Sequence, residues 1–200
     1  MNRDRWSPAR RATIAGACRS AVLALVLTAT WRASAGADPL HYRVQPEASE
    51  VTFKATSRMM NAEGRFPSLS GDVVADPRDL STARVTVSIQ AASIATGIGL
   101  RDNHLRSDDF LDVQKFPAIA FESTRVQGAG PRVTVFGRLT MHGVTHEIEV
   151  PVELAMTDVA LVASGEFVVN RGDYGMNYQS VLNPIGNVVR VAFTFRAHTP

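Results

Sequence analysis

The sequence predicts a mainly β protein in which residues 38–200 form one antiparallel sandwich or barrel. Three observations carry this. Apolar and polar residues alternate with period two in segment after segment. Gly, Pro, Asn and Asp occupy the gaps between those segments. Beyond residue 37 the chain has neither a long apolar stretch nor a repeat of roughly 20–50 residues.

The alternation starts at Val51/Phe53 and is clearest in Arg84-Val85-Thr86-Val87-Ser88-Ile89-Gln90. It returns at Ile119/Phe121 and Val133/Val135 and is longest over Ile148/Val150/Val152/Leu154. Phe167/Val169 and Val189/Val191/Phe193/Phe195 complete it. Asp76-Pro77, Gly128-Ala129-Gly130-Pro131, His142-Gly143 and Asn183-Pro184 read as turns. Eight or so short strands result, each turning one face to a core or cavity. Residues 97–116 break the pattern and read as one or two short helices. Ser107 is the expected N-cap, Asp108 and Asp109 the first turn, and Pro117 the stop.

The first 37 residues have a different character. Arginine-rich Met1–Arg19 precedes the uncharged run Ala21–Trp31. Its 11 residues fall short of the about 20 that a membrane helix needs. A basic start, a short apolar run and small residues predict an export signal cleaved after Ala37 or Ala35, and hence a periplasmic or secreted protein. Arg10-Arg11 raises twin-arginine export, but Thr13 takes a place that motif gives to an apolar residue, so ordinary Sec export is the preferred reading. The leader would carry away Cys18, Trp6 and Trp31, leaving a chain without cysteine and so without disulfide, thiol nucleophile or thiolate metal site.

The composition, 45% hydrophobic and 20% charged, is that of a folded globular protein. The net charge of +2 is misleading, because six arginines and one aspartate lie in the first 37 residues and without them the sum becomes −3. Such a chain lacks the basic face of a nucleic-acid binder.

Candidate chemistry is sparse. His142 and His146 are four apart, the spacing of a metal pair on a helix, but Gly143 and the flanking strands put them on a hairpin. On a strand they would stand about 13 Å apart, so surface turn histidines are the preferred reading. His41 and His198 read as solvated. Arg101, Asp102 and His104 cluster with Arg106, Asp108 and Asp109. The first reading is a salt-bridged helix face and the second a pocket cover, with Arg101 meeting a polar or anionic head group. The third is an acid–base pair of Asp102 and His104. Arg171-Gly172-Asp173-Tyr174-Gly175 reads as a strand-end turn with glycines at positive φ. Met59-Met60 suits the rim of an apolar site. Phosphate loops, dinucleotide fingerprints, calcium loops and GxSxG are absent.

Four ordered blocks carry a resemblance. The most specific is Ser93-Ile94-Ala95-Thr96-Gly97, then Arg101 through Val113 (RDNHLRSDDFLDV), then Phe116-Pro117 and Ala120-Phe121-Glu122-Ser123-Thr124. The others are Gly137 through Thr145 (GRLTMHGVT), Arg171 through Met176 (RGDYGM), and Gly64-Arg65-Phe66 followed by Ser70-Gly71. Together they resemble the YceI-like family of secreted lipid-binding proteins from about Tyr42 to Phe195. Ser57 through Ala62 (SRMMNA) departs from the family's pattern.

The resemblance implies an extended, lipocalin-like antiparallel barrel of about eight strands, with a long apolar cavity for a polyisoprenoid or similar amphiphile. It implies no catalytic residue, no metal and no cofactor beyond a bound isoprenoid or long-chain lipid. The expected cavity set is Phe53, Phe66, Val87, Ile94, Phe110, Phe116, Phe121, Leu139, Phe167, Tyr174 and Phe193. Arg101, His104 and Arg171 are the expected neighbours of a polar head. The expected partner is a lipid (isoprenoid quinone, prenyl alcohol or fatty-acid derivative), with transient membrane contact, no nucleic acid and a dimer compatible with the sequence. Two alternatives stay open: a filled barrel acting as a structural or stress-response interaction protein, and a redox or metal-dependent accessory enzyme using His142 and His146.

Overall fold

Ten antiparallel strands occur among the residues described in this computed structural model, 38–57, 61–179 and 185–200. They are β1 (Leu40–Val44), β2 (Glu50–Ser57), β3 (Ala62–Arg65), β4 (Leu69–Asp76) and β5 (Asp79–Gln90), then β6 (Ala118–Ala129), β7 (Arg132–Met141), β8 (Val144–Met156), β9 (Ala160–Asn170) and β10 (Ile185–His198). The expected leader, Met59-Met60 and the Asn183-Pro184 turn lie outside the described residues.

Eight strands close a barrel in the order β1-β4-β5-β6-β7-β8-β9-β10, with β10 returning to β1 through Arg43↔His198 and Val44↔Ala197. The hairpin of β2 and β3 extends this wall, β2 lying along β10 with Phe53 opposite Val191 and Val51 opposite Phe193. β1 and β2 thus act as one strand interrupted by the 3-10 turn Pro46–Ala48. Closure removes the open strand edges of a flat sheet.

The alternation noted in β5 through β10 lies on these strands. Alternation alone does not reveal β3 and β4, because small residues, Ala62 and Gly64, then Gly71 and Ala75, stand at inward positions. On the outside, oppositely charged residues face each other at Lys54–Glu63, Arg138–Glu122 and Arg132–Glu153. Such exposed pairs contribute less than about 1 kcal/mol each. They sit at directly opposed positions, where they favour the observed register.

Residues 97–116 hold one short helix, as expected, but its boundaries differ from those expected around Ser107. One helix, α1 (Gly99–Arg106), ends where a helix start was expected, and Ser107 is its C-cap. The Ser107 hydroxyl donates to the His104 carbonyl at 2.8 Å. The competing force is burial: the chain turns after Ser107 so that Phe110 and Leu111 pack inward, both buried. Arg106 ties the helix down by donating to the carbonyls of Ala92 (2.8 Å) and Ile94 (2.7 Å).

Asp102 in the first turn of α1 is only 9% exposed. It accepts from the Thr96 backbone N–H at 2.8 Å and from the Thr96 hydroxyl. These bonds, with Arg106 and Arg101 nearby, hold its carboxyl below the usual aspartate value. A depressed carboxyl pKa stabilises the fold above the unfolded value of about 3.9 and loses that contribution as the pH falls through the folded value. Asp102→Asn is therefore expected to lower the melting temperature at neutral pH. It should also flatten the acid limb of the melting-temperature profile, read by circular dichroism at successive pH values.

Candidate functional site

The inward faces of the strands do not meet. They enclose a cavity of about 250 Å³. Of the 39 residues that line it, all but Arg171 are apolar. Strand parity explains the wall. Ile148, Val150, Val152, Leu154 and Met156 of β8 all point in, and Val189, Val191, Phe193 and Phe195 do the same from β10. The β8 stretch covers about 26 Å of strand at ~3.3 Å per residue. At one end Leu105 of α1, with Phe110, Leu111 and Met176, borders the cavity. At the other end, beside the tight hairpins, Ala75, Leu80 and Ala83 border it. A cavity with such a wall offers water almost no partners. Apolar cavities of about 150 Å³ stay dry and take up benzene or xenon.

Arg171 follows β9 on a single 3-10 turn, Arg171–Tyr174, whose start is capped by the Asn170 side chain accepting from the Gly172 N–H. It is 3% exposed. Its guanidinium donates to the carbonyls of Met176, Tyr178 (2.9 Å), Ile185 (3.2 Å) and Gly186 (3.3 Å). Burial pulls its pKa below the ordinary arginine value. No carboxylate pairs with it among the described residues. Arg171 thus fastens the chain on both sides of residues 180–184 and is the one charged group on the cavity wall. Gly175 closes the turn at φ +77, whereas Gly172 does not adopt the expected positive φ.

The two histidines fasten the turn that carries Arg171. His142 (φ +52) and Gly143 (φ +73) form the β7–β8 turn, and His146 stands on β8 opposite Leu139. A carbonyl can only accept, so His142 Nδ1–H donates to the Tyr174 carbonyl (2.9 Å) and His146 Nε2–H to that of Asp173 (3.0 Å). The His146 ring also packs on Tyr174, centroids 5.0 Å apart. Both histidines hold the turn that carries Arg171, and no cluster of three metal-ligating side chains occurs among the described residues. His41 and His198 are tied as well, to Asp72 at 3.1 Å and to the Gln45 side chain at 2.7 Å.

Nine of the expected site residues line the cavity: Phe53, Phe66, Val87, Phe110, Phe121, Leu139, Phe167, Arg171 and Phe193. Five do not. Arg101 faces away, donating from Nε to the Thr96 hydroxyl (2.9 Å) and from Nη2 to the Thr96 carbonyl (3.2 Å). His104 pairs with Asp109 at 2.9 Å and stacks edge-on against Phe110 and Tyr178. It backs the wall from outside. Ile94 is buried behind the wall, and Phe116 packs on His142 and over Gly143. Tyr174 is buried, and its hydroxyl has no hydrogen-bond partner among the described residues. Sequence reasoning missed Ala55, Ala62, Ala75, Ala83 and Ala163, and also Leu105, Leu111 and Met176. Strand parity with Phe167 and Val169 would have found Ala163. No periodic signal marks Leu105 on the short helix or Leu111 and Met176 in the loops.

Comparison with known proteins bears on the same residues. A family model described as YceI-like domain matches residues 42–197. A UPF0312 protein of Pseudomonas aeruginosa is 40% identical over 91 residues, 46% of this chain and 48% of the relative. One from Vibrio vulnificus is 38% identical over 92 residues, 46% and 49% of the two chains. These matches span about half the length of the relatives. Among solved structures, Burkholderia cenocepacia BcnA superposes with TM-score 0.71 at 22% identity, over 76% of this chain and 98% of its own. A polyisoprenoid binding domain from Saccharophagus degradans, implicated in plant cell wall breakdown, gives 0.67 at 19% identity, over 80% and 99%. At these identities the structural likeness concerns the fold.

Proposed function

This chain belongs to the YceI-like domain family, and from that premise we propose that it is an exported carrier of a long-chain amphiphile. The tail of an isoprenoid quinone, prenyl alcohol or fatty-acid derivative lies in the barrel. Residues 1–37 direct the chain through the inner membrane and are removed. The observation that carries this reading is the apolar cavity running along the barrel with a single cation on its wall. Burying one five-carbon prenyl unit is worth on the order of 4 kcal/mol at ~0.8 per carbon. A few units offset the roughly 4–15 kcal/mol lost on association. The polar head lies near Arg171, whose charge has no carboxylate partner among the described residues. A binding role is favoured over a redox or metal-dependent one, because His142 and His146 each commit a ring nitrogen to a backbone carbonyl. The filled-barrel alternative is disfavoured by the cavity itself.

The tail reaches the barrel from a membrane. Ile98 and Leu100 at the start of α1 are 43% and 85% exposed, and Leu105 of the same helix lines the cavity. Lipid-stripped protein mixed with phosphatidylcholine vesicles carrying ubiquinone is expected to acquire the quinone and to melt at a higher temperature, since a ligand that binds only the folded state stabilises it. Leu100→Glu should slow that uptake several-fold while leaving the final loading unchanged. Absence of uptake and of a melting shift, with quinones, prenyl alcohols and fatty acids alike, overturns the proposal.

A further inference from the structure

The cavity wall contains inward-facing glycines, and a phenylalanine ring lies on three of them. Gly137 stands between the lining residues Val135 and Leu139, and Gly165 between Ala163 and Phe167. A Cβ at Gly137 would come within 2.6 Å of Phe121 Cε2. At Gly165 it would meet Phe193 Cζ and Cε1 at 2.9 and 3.0 Å, and the Pro151 carbonyl oxygen of β8 closer still. Gly64 has the same relation to Phe53, at 2.8 Å. Each missing side chain is a recess that lets a ring lie against the wall instead of across the lumen, as when an aromatic covers a glycine on a neighbouring strand.

The position of these rings gives them consequence. The apolar residues form two clusters. One includes Leu111, Met141 and Met176 at the α1 end, and the other Ala75, Ala83, Val126 and Val133 at the hairpin end. Phe121 and Phe193 pack against both, so they stand where the two halves of the cavity meet. On β7, Gly137 is four residues from Met141 and four from Val133, about 13 Å of strand either way.

We infer that Gly137 and Gly165 keep the passage between the two halves open and thereby set the length of chain the protein takes. With both rings against the wall, one flexible hydrocarbon chain runs through into the hairpin half. With either ring displaced, a chain stops at the junction. The inference rests on the carrier reading, and its test separates the two.

The test compares farnesol with the longer solanesol, each delivered from phosphatidylcholine vesicles to lipid-stripped exported protein and quantified by mass spectrometry. Gly137→Ala is expected to weaken solanesol binding by more than about ten-fold, a loss of about two buried carbons or more. Farnesol binding should stay within about two-fold. A Cβ at Gly137 also approaches the Glu122 carbonyl at 2.6 Å, which strains the strand whatever the ring does. The double variant Gly137→Ala/Phe121→Ala keeps that strain but removes the ring, and should regain solanesol. Should the alanine variant fail to fold, Phe121→Trp overfills the same recess and should give the same length-selective loss. Equal loss for both alcohols, or no recovery in the double variant, overturns the length gauge alone. Unaltered protein that binds neither alcohol overturns the carrier reading and the gauge with it.

Discussion

Replacing Arg171 with methionine is expected to cost about 3 kcal/mol of stability, the scale set by unsatisfied buried acceptors. For a domain of this size that lowers the melting temperature by roughly 6–12 °C. Methionine matches the apolar wall and is of similar length, and removing a buried charge can by itself be neutral. The acceptors decide the outcome. The carbonyls of Met176, Tyr178, Ile185 and Gly186 each accept a hydrogen bond from this one guanidinium, and a thioether donates none. Arg171→Lys should recover less than half the loss, because an ammonium is a point charge without the planar fork. Hydrogen exchange should show the damage at Met176–Tyr178 and Ile185–Gly186 before it shows in the barrel strands. A methionine variant that melts with the parent protein would show that the fork is dispensable.

Ala163→Trp is expected to weaken long-chain binding by about a hundred-fold while the protein stays as stable or becomes more so. Ala163 lines the cavity and packs against both apolar clusters. An indole there occupies the path of the tail. Displacing three or four tail carbons at ~0.8 kcal/mol each amounts to about 3 kcal/mol, or a hundred-fold. Filling an apolar void adds dispersion contacts, in contrast with overpacking a full core. A protein of residues 38–200 has no other tryptophan, so the introduced indole reports on itself. Blue-shifted emission together with lost binding is the expected pair of readings. Undiminished binding with blue-shifted emission would place the tail elsewhere.

Much of this was legible in the sequence, for identifiable reasons. Period two survives in any sheet whose faces differ, so β5 through β10 could be read from Val85/Val87/Ile89 or Val189/Val191/Phe193/Phe195. Small inward residues carry no such signal, so β3, with Ala62 and Gly64, is not legible from alternation. The sequence places a helix within residues 97–116, but Ser107, an N-cap by residue type, ends α1, because the pull of Phe110 and Leu111 toward the cavity outweighs the capping preference. The same limit applies to the site. Phe53, Phe121, Phe167 and Phe193 face inward by parity, whereas Arg101 and His104 lie on a helix whose orientation only tertiary packing fixes. Their hydrogen bonds to Thr96 and Asp109 turn them outward. Arg171 and the glycines beneath the phenylalanine rings gain their meaning only from what stands opposite them.

The most direct test of the central claim is native mass spectrometry of residues 38–200, purified without detergent from a host with ordinary membranes, followed by organic extraction. The account predicts a discrete added mass on the polypeptide that is recovered by extraction as a prenyl or other long-chain lipid. A bare polypeptide mass, still bare after incubation with quinones, prenyl alcohols and fatty acids, would contradict it.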